Sequence, residues 1–219
     1  MKKELSEYIN RSAFIYFFFV IILAVSSAAS AASLDETISM IEKKAGEIKD
    51  ISGSFLQESY LTDLERTEKY SGNFFIKKPS MVRWKYAEPR DEEVYITTDA
   101  IWIHKRLAKQ AVKSKFTENA YGQAPIALLA SLQNLKADFD ITATGKADIL
   151  KLKPKRKIGS IKEILMQTSS TDFPVNSFKI FDIYGNNVII TIKDVRTNTG
   201  LEDKAFIFKP TADMEIFEY

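Results

Sequence analysis

From Gly72 to Lys105 the chain reads GNFFIKKPSMVRWKYAEPRDEEVYITTDAIWIHK, and its apolar positions recur at every second residue. Phe74, Ile76 and Lys78 fall on one face of a period-2 strand, as do Val82, Trp84 and Tyr86, while Lys77, Arg83 and Lys85 point the other way. Pro79 and Pro89 lack the amide donor a central strand needs, so they belong at strand ends or turns. Thr98-Asp99-Ala100 reads as a hairpin turn before a strand from Ile101 to His104. The pattern predicts consecutive antiparallel strands with one greasy and one charged face.

Upstream, Leu34, Ile38, Ile41, Ala45 and Ile48 step by four and three, one apolar stripe of an amphipathic helix, with Asp35 and Glu36 where the helix dipole favours anions. From Ile51 the period becomes two, and a polar turn around Asp63 to Arg66 leads into a second run, Glu68 to Lys78, which completes a hairpin. A strand over Lys109 to Phe116 is followed by Tyr121-Gly122-Gln123-Ala124-Pro125. The next residues, rich in Ala and Leu, predict a short helix over residues 125–133. Six more strands are expected: Phe139 to Ala143, Ile149 to Lys153, Lys162 to Thr168, Val175 to Asp182, Asn187 to Val195 and Lys204 to Lys209. About eleven strands cannot lie flat, because twist makes a sheet of that width curl around a concave apolar face. The two helices are the elements available to cover it.

The first 31 residues stand apart. Lys2, Lys3 and Arg11 flank an apolar stretch from Ala13 to Val25, and Ala29-Ser30-Ala31 offers a small-residue cleavage site. Residues 1–31 are therefore expected to be a cleavable signal peptide. The apolar run is shorter than the roughly 20 residues needed to span a bilayer, which weighs against an uncleaved anchor. Residues 32–219 are expected to form a single exported domain. The formal net charge is +2, of which the leader's three basic and two acidic residues account for one unit. Such a balance lacks the concentrated basic surface of a nucleic-acid binder. With no cysteine there is no disulfide or thiolate chemistry.

Catalytic constellations are missing as well. The one histidine, His104, sits in a strand pattern with no second His and no Cys, so it reads as structural, and no metal site is expected. The eight glycines are dispersed at turns and form no phosphate loop, and no nucleophile elbow surrounds any serine. These observations predict no enzyme, no catalytic residue and no cofactor. The run Lys151, Lys153, Lys155, Arg156, Lys157 reads as a solvated hairpin or protected edge, with a docking patch for an anionic surface as the other possibility.

The order of Phe55-Leu56-Gln57, Gly72-Asn73-Phe74, Lys78-Pro79, Arg83-Trp84-Lys85-Tyr86, Pro89, Asp99, Trp102, Gly122-Gln123-Ala124-Pro125 and Phe206-Ile207-Phe208-Lys209-Pro210 resembles the LolA family of periplasmic lipoprotein carriers, across essentially the whole chain after the leader. The resemblance implies a mainly β fold, a half-open antiparallel β-barrel with a lid of short α-helices. It implies a monomeric carrier that takes acylated lipoproteins from an inner-membrane lipoprotein-release ABC transporter and passes them to an outer-membrane lipoprotein receptor.

On the same resemblance, Phe74, Ile76, Val82, Trp84, Tyr86 and Trp102 would wall an acyl-chain cavity, and Ile126, Leu128 and Leu129 would form the lid. Lys78 stands where the family usually carries an arginine that latches the lid to the sheet. A lysine offers fewer fixed donors, so a weaker latch or one with other acceptors is expected; a solvated strand-end lysine is the bland reading. Trp84 reads equally as core. The concave face would also suit a free lipid or glycolipid. A lipid-sensing regulatory module shares the half-barrel but usually adds a second, C-terminal domain, and here the chain stops at Tyr219.

Overall fold

The period-2 segments pair into one sheet. In the computed structural model, which describes residues 33–115, 127–130, 132–146 and 148–219, twelve strands run in the order β12-β6-β5-β4-β3-β2-β1-β11-β10-β9-β8-β7. They are β1 (Asp50–Leu61), β2 (Arg66–Lys77), β3 (Met81–Tyr86), β4 (Glu92–Ile96), β5 (Ala100–Lys105), β6 (Gln110–Lys115), β7 (Phe139–Ala143), β8 (Ile149–Pro154), β9 (Ile161–Thr168), β10 (Val175–Asp182), β11 (Asn187–Thr197) and β12 (Glu215–Glu218). All neighbours are antiparallel except β12, which adds in parallel to β6. β7 and β12 are free edges, so the sheet is open and unclosed. The expected leader lies outside the described residues.

Helix α1 (Leu34–Glu47) forms where the apolar stripe predicts it and buries Ile38, Ile41 and Ala45. The helix expected over residues 125–133 is broken: α2 (Ala127–Ala130) is followed by a 3-10 turn (Leu132–Asn134) and then by α3 (Leu135–Asp138). Its first part, with Ile126, lies outside the described residues. Leu128, Leu129, Leu132 and Leu135, together with the buried face of α1, join inward residues of β1 to β5 and β7 to β11 in one cluster. Short helices thus cover one face of the sheet, and that face is the core.

Gly53 pairs with Phe74 and Gly72 with Phe55, so each aromatic ring lies over a glycine on the adjoining strand. A Cβ at Gly72 would sit 2.0 Å from the Lys85 carbonyl oxygen and 2.7 Å from the Phe55 ring. The missing side chains allow the Phe55 ring to stack on Trp84, with centroids 3.6 Å apart. A bulge between Ser52 and Ser54 in the β1–β11 ladder, with Asp194 in the left-handed region at φ 52°, adds local twist.

One expected strand is absent. Lys204 to Lys209 is instead a 3-10 turn (Asp203–Phe206) and an extended segment that crosses the outer face of the sheet. Phe206 is fully buried, and Phe208 packs on Tyr95, Trp102 and His104 with centroids 5.0–5.4 Å away. The alternation of Phe206 and Phe208 therefore reflects docking onto a sheet face, which demands the same periodicity as pairing within a ladder. The last strand is β12, whose side chains are all exposed and so leave no burial pattern to read.

Candidate functional site

The face under the helices is built from the centre outward. Phe74, Ile76, Val82, Trp84 and Tyr86 project from β2 and β3 into the common cluster and are 0–4% exposed. Phe55 links them, stacked on Trp84 and edge-on to Tyr86. Trp102 is not among them. β5 turns Ile101 and Ile103 inward, so Trp102 points to the opposite face, against Phe208 and beneath the Lys113 ammonium. The strand's alternation excludes it from the wall, which corrects the expectation that it lines the cavity.

Two features of the wall were not foreseen. Tyr86 Oη donates to Gln57 Oε1 at 3.0 Å, and Gln57 Nε2 donates to Ser59 Oγ at 3.0 Å, a buried polar relay across an apolar face. Burial pushes the Tyr86 phenol up from its ordinary range, so it stays a neutral donor. The indole Nε1 of Trp84 is buried without an acceptor among the described residues. The period of two marks Gln57 and Ser59 as sharing a face with Phe55, yet their polarity gives no hint that this face is the inner one.

Above the wall, Leu128 and Leu129 are each 4% exposed and fill the space between sheet and helices with Leu132 and Leu135. Among the described residues, one crevice beneath them has a volume of about 10 Å³ and is lined among others by Ile48, Ile76, Lys78, Leu129 and Phe173, room for about one water molecule. Lys78 closes it. Its Nζ donates to the Ala45 carbonyl oxygen of α1 and, at 2.8 Å, to Gln133 Oε1 of the 3-10 turn. Ala45 O lies in the last turn of α1, where the dipole is negative, and it also accepts from Ile48 N at 3.2 Å just beyond the helix. Burial pushes the ammonium's pKa down from its ordinary value. One lysine thus bridges sheet, α1 and the second helical segment. Lys136 adds a direct tie between the helices, through Asp35 at 2.6 Å and Ser39 Oγ at 3.0 Å, while its amide donates to Glu42.

Outside the wall the chemistry is sparse. His104 packs on Phe208 with its Nε2 unpartnered among the described residues, and burial lowers its pKa. No cluster of three or more His, Asp or Glu side chains able to hold a metal occurs among the described residues. In the basic segment, Lys151 pairs with Glu163 at 2.9 Å and Lys155 Nζ donates to the Lys136 carbonyl oxygen, along a β8–β9 hairpin. What the arrangement offers is a large apolar surface under helices that a few polar bonds hold shut.

Comparison with known proteins supports the same reading. The family described as Outer membrane lipoprotein carrier protein LolA matches residues 46–209. Outer-membrane lipoprotein carrier proteins of Methylococcus capsulatus and Haemophilus influenzae are 25% identical over 154 residues and 22% identical over 187 residues. The first match covers 69% of this chain and 73% of the relative, the second 85% and 89%. An uncharacterized conserved protein from Thermus thermophilus shares the fold, with a TM-score of 0.52 at 13% identity over 85% of this chain and 99% of that one. The chain belongs to the LolA family of outer membrane lipoprotein carrier proteins.

Proposed function

We propose that this protein is a periplasmic carrier that binds the acyl chains of lipoproteins released from the inner membrane and delivers them to an outer-membrane acceptor. Residues 32–219 are the carrier domain, exported as a monomer behind a signal peptide of residues 1–31. The observation that carries the reading is the Lys78 bridge, which holds two helical segments over an apolar wall that their own leucines plug. Acyl chains take the place of Leu128, Leu129, Leu132 and Leu135 against Phe74, Ile76, Val82, Trp84 and Tyr86 when the bridge opens. Ile126 belongs to the same lid. The carrier is not an enzyme and holds no nucleotide, so loading draws on an inner-membrane lipoprotein-release ABC transporter and unloading on an outer-membrane lipoprotein receptor. The relatives named as lipoprotein carriers support the cargo class.

Native mass spectrometry of the mature protein purified from its own periplasm tests this. A co-purifying acylated lipoprotein is expected. Free phospholipid or glycolipid in stoichiometric amount, with no lipoprotein, would replace the reading by a free-lipid carrier.

A further inference from the structure

The β10–β11 ladder is incomplete. Its pairs run from Phe181–Asn187 to Ser177–Thr191 and stop there, whereas β11 continues to Thr197 paired only with β1. Between the parted strands lies a groove of about 510 Å³. Its apolar lining is Phe173, Val175, Ile192 and Val195, the first three buried, and the rest of its wall is polar, including Asp172, Asn176, Lys193, Asp194 and Arg196. A β11 bulge at Asp194 and Val195, opposite Gly53 of β1, occupies the point where the strands part. Bulges there twist β11 away from β10 and terminate pairing.

Phe173 belongs to two spaces. It lines this surface groove and also the crevice beneath Lys78 and Leu129. Its ring is 5% exposed and separates the two. The loop that carries it, residues 169–174, bonds mostly to itself: Ser169 N donates to Pro174 O at 2.9 Å and Thr171 Oγ1 to Phe173 O at 3.0 Å. A tie to another element comes from Lys44 Nζ of α1, which donates to Thr171 O at 2.9 Å. Helix α1 is the helix that Lys78 holds.

We infer that the groove between β10 and β11 is the portal through which an acyl chain reaches the core, with Phe173 as its gate. The inference rests on the carrier reading. The chain's methylenes pass along Phe173, Val175, Ile192 and Val195 while its polar head stays among the polar residues of the wall. Because Lys44 ties the gate loop to α1, release of Lys78 from Ala45 frees helix and gate together. The partner chemistry is a long saturated acyl chain bearing a polar head.

The test uses a fluorescent tripalmitoyl-cysteinyl peptide and stopped-flow uptake by the mature protein. The chain has no cysteine, so a pair introduced as Asn176→Cys and Lys193→Cys, both exposed, can be bridged across the groove by a short reducible crosslinker. Uptake is expected to slow at least tenfold in the bridged protein and to recover on reduction. The same crosslinker on Glu58→Cys and Lys69→Cys, an exposed cross-strand pair elsewhere, is expected to change nothing. Phe173→Ala, where it folds, is expected to accelerate both uptake and release severalfold. Unchanged uptake in the bridged groove overturns the portal while leaving the carrier reading intact. Failure of the unmodified protein to take up the lipopeptide overturns the carrier reading and the portal with it.

Discussion

Replacing Lys78 by methionine keeps an unbranched stem over the crevice and removes the two hydrogen bonds by which this side chain ties the sheet to the helical segments. A fully buried bond from a charged donor contributes about 1.5–3 kcal/mol. The ammonium is only half-buried, and water can replace either acceptor in an open state, so about 1–2 kcal/mol for the pair is the reasonable magnitude. At about 1.4 kcal/mol per tenfold, Lys78→Met raises the open population by roughly 5–30-fold. Hydrogen exchange reads this directly. Amides of α1 from Ile41 to Ala45 and those of the 3-10 turn should exchange faster by that factor, while amides of β1 and β11 keep their protection. Unchanged protection in α1 would remove Lys78 as a latch. An equal loss in α1 and β1 would show that Lys78 supports the whole fold and gates nothing.

Three further outcomes follow from the same geometry. Gly72→Ala forces a Cβ to within 2.0 Å of the Lys85 oxygen and should lower the unfolding free energy by about 3 kcal/mol in urea titrations, whereas Gly46→Ala, with nothing within 4 Å, should raise it by about 0.5–1 kcal/mol. Equal effects would show that the Gly72 contact is not rigid. Burial raises the Asp50 carboxyl pKa, but hydrogen bonds from Thr199 and Gly200 outweigh it and hold it below its ordinary value. The stabilisation this gives is full above about pH 4, the ordinary carboxylate range, and is lost as pH falls through the lowered folded value. Asp50→Asn should therefore be less stable at neutral pH and converge on the wild type in strong acid; melting curves that stay parallel at all pH values would contradict the assignment. Finally, Trp84 is in the wall and Trp102 is on the outer face, so binding of an acyl probe should shift the emission of Trp102→Phe and leave that of Trp84→Phe unmoved.

The strands were legible because one face of the sheet is buried and the other largely wet, which imposes period two on almost every strand. The interval from Phe139 to Ala143 and that from Val175 to Asp182 could be read to the residue. Reading failed where period two has another cause. Phe206 and Phe208 alternate because they dock on the outer face, and Trp102, placed in the wall by the family resemblance, belongs to that docked outer face instead. β12 escaped notice because an exposed edge strand has no reason to alternate. At the site, Phe74 to Tyr86 could be placed from sequence, and Lys78 from its inward register. Its acceptors could not, since Ala45 and Gln133 are 33 and 55 residues away and only the packing of α1 brings them to one ammonium.

A carrier must release what it binds, and the leucine plug accounts for that. Exposing the four lid leucines costs about 1.5–3 kcal/mol each, or about 6–12 kcal/mol in all, while burying one 16-carbon acyl chain returns about 0.8 kcal/mol per methylene, about 12 kcal/mol. The plug therefore offsets half or more of what the chain's burial returns, which leaves the exchange of one cover for the other worth about 0–6 kcal/mol in favour of the chain. Shrinking the plug should tilt it further. Leu129→Ala removes packing from the closed state, where Leu129 is 4% exposed, and should lower the stability of the empty protein by about 2–5 kcal/mol. If the proposed exchange displaces Leu129 from the wall, little is lost in the loaded state. By linkage the variant should hold an acyl probe more tightly than the wild type even as its empty form melts earlier, an inverse relation that isothermal titration and thermal unfolding measure independently. If affinity falls together with stability, Leu129 is a wall residue that the ligand needs and the self-plugging account is wrong.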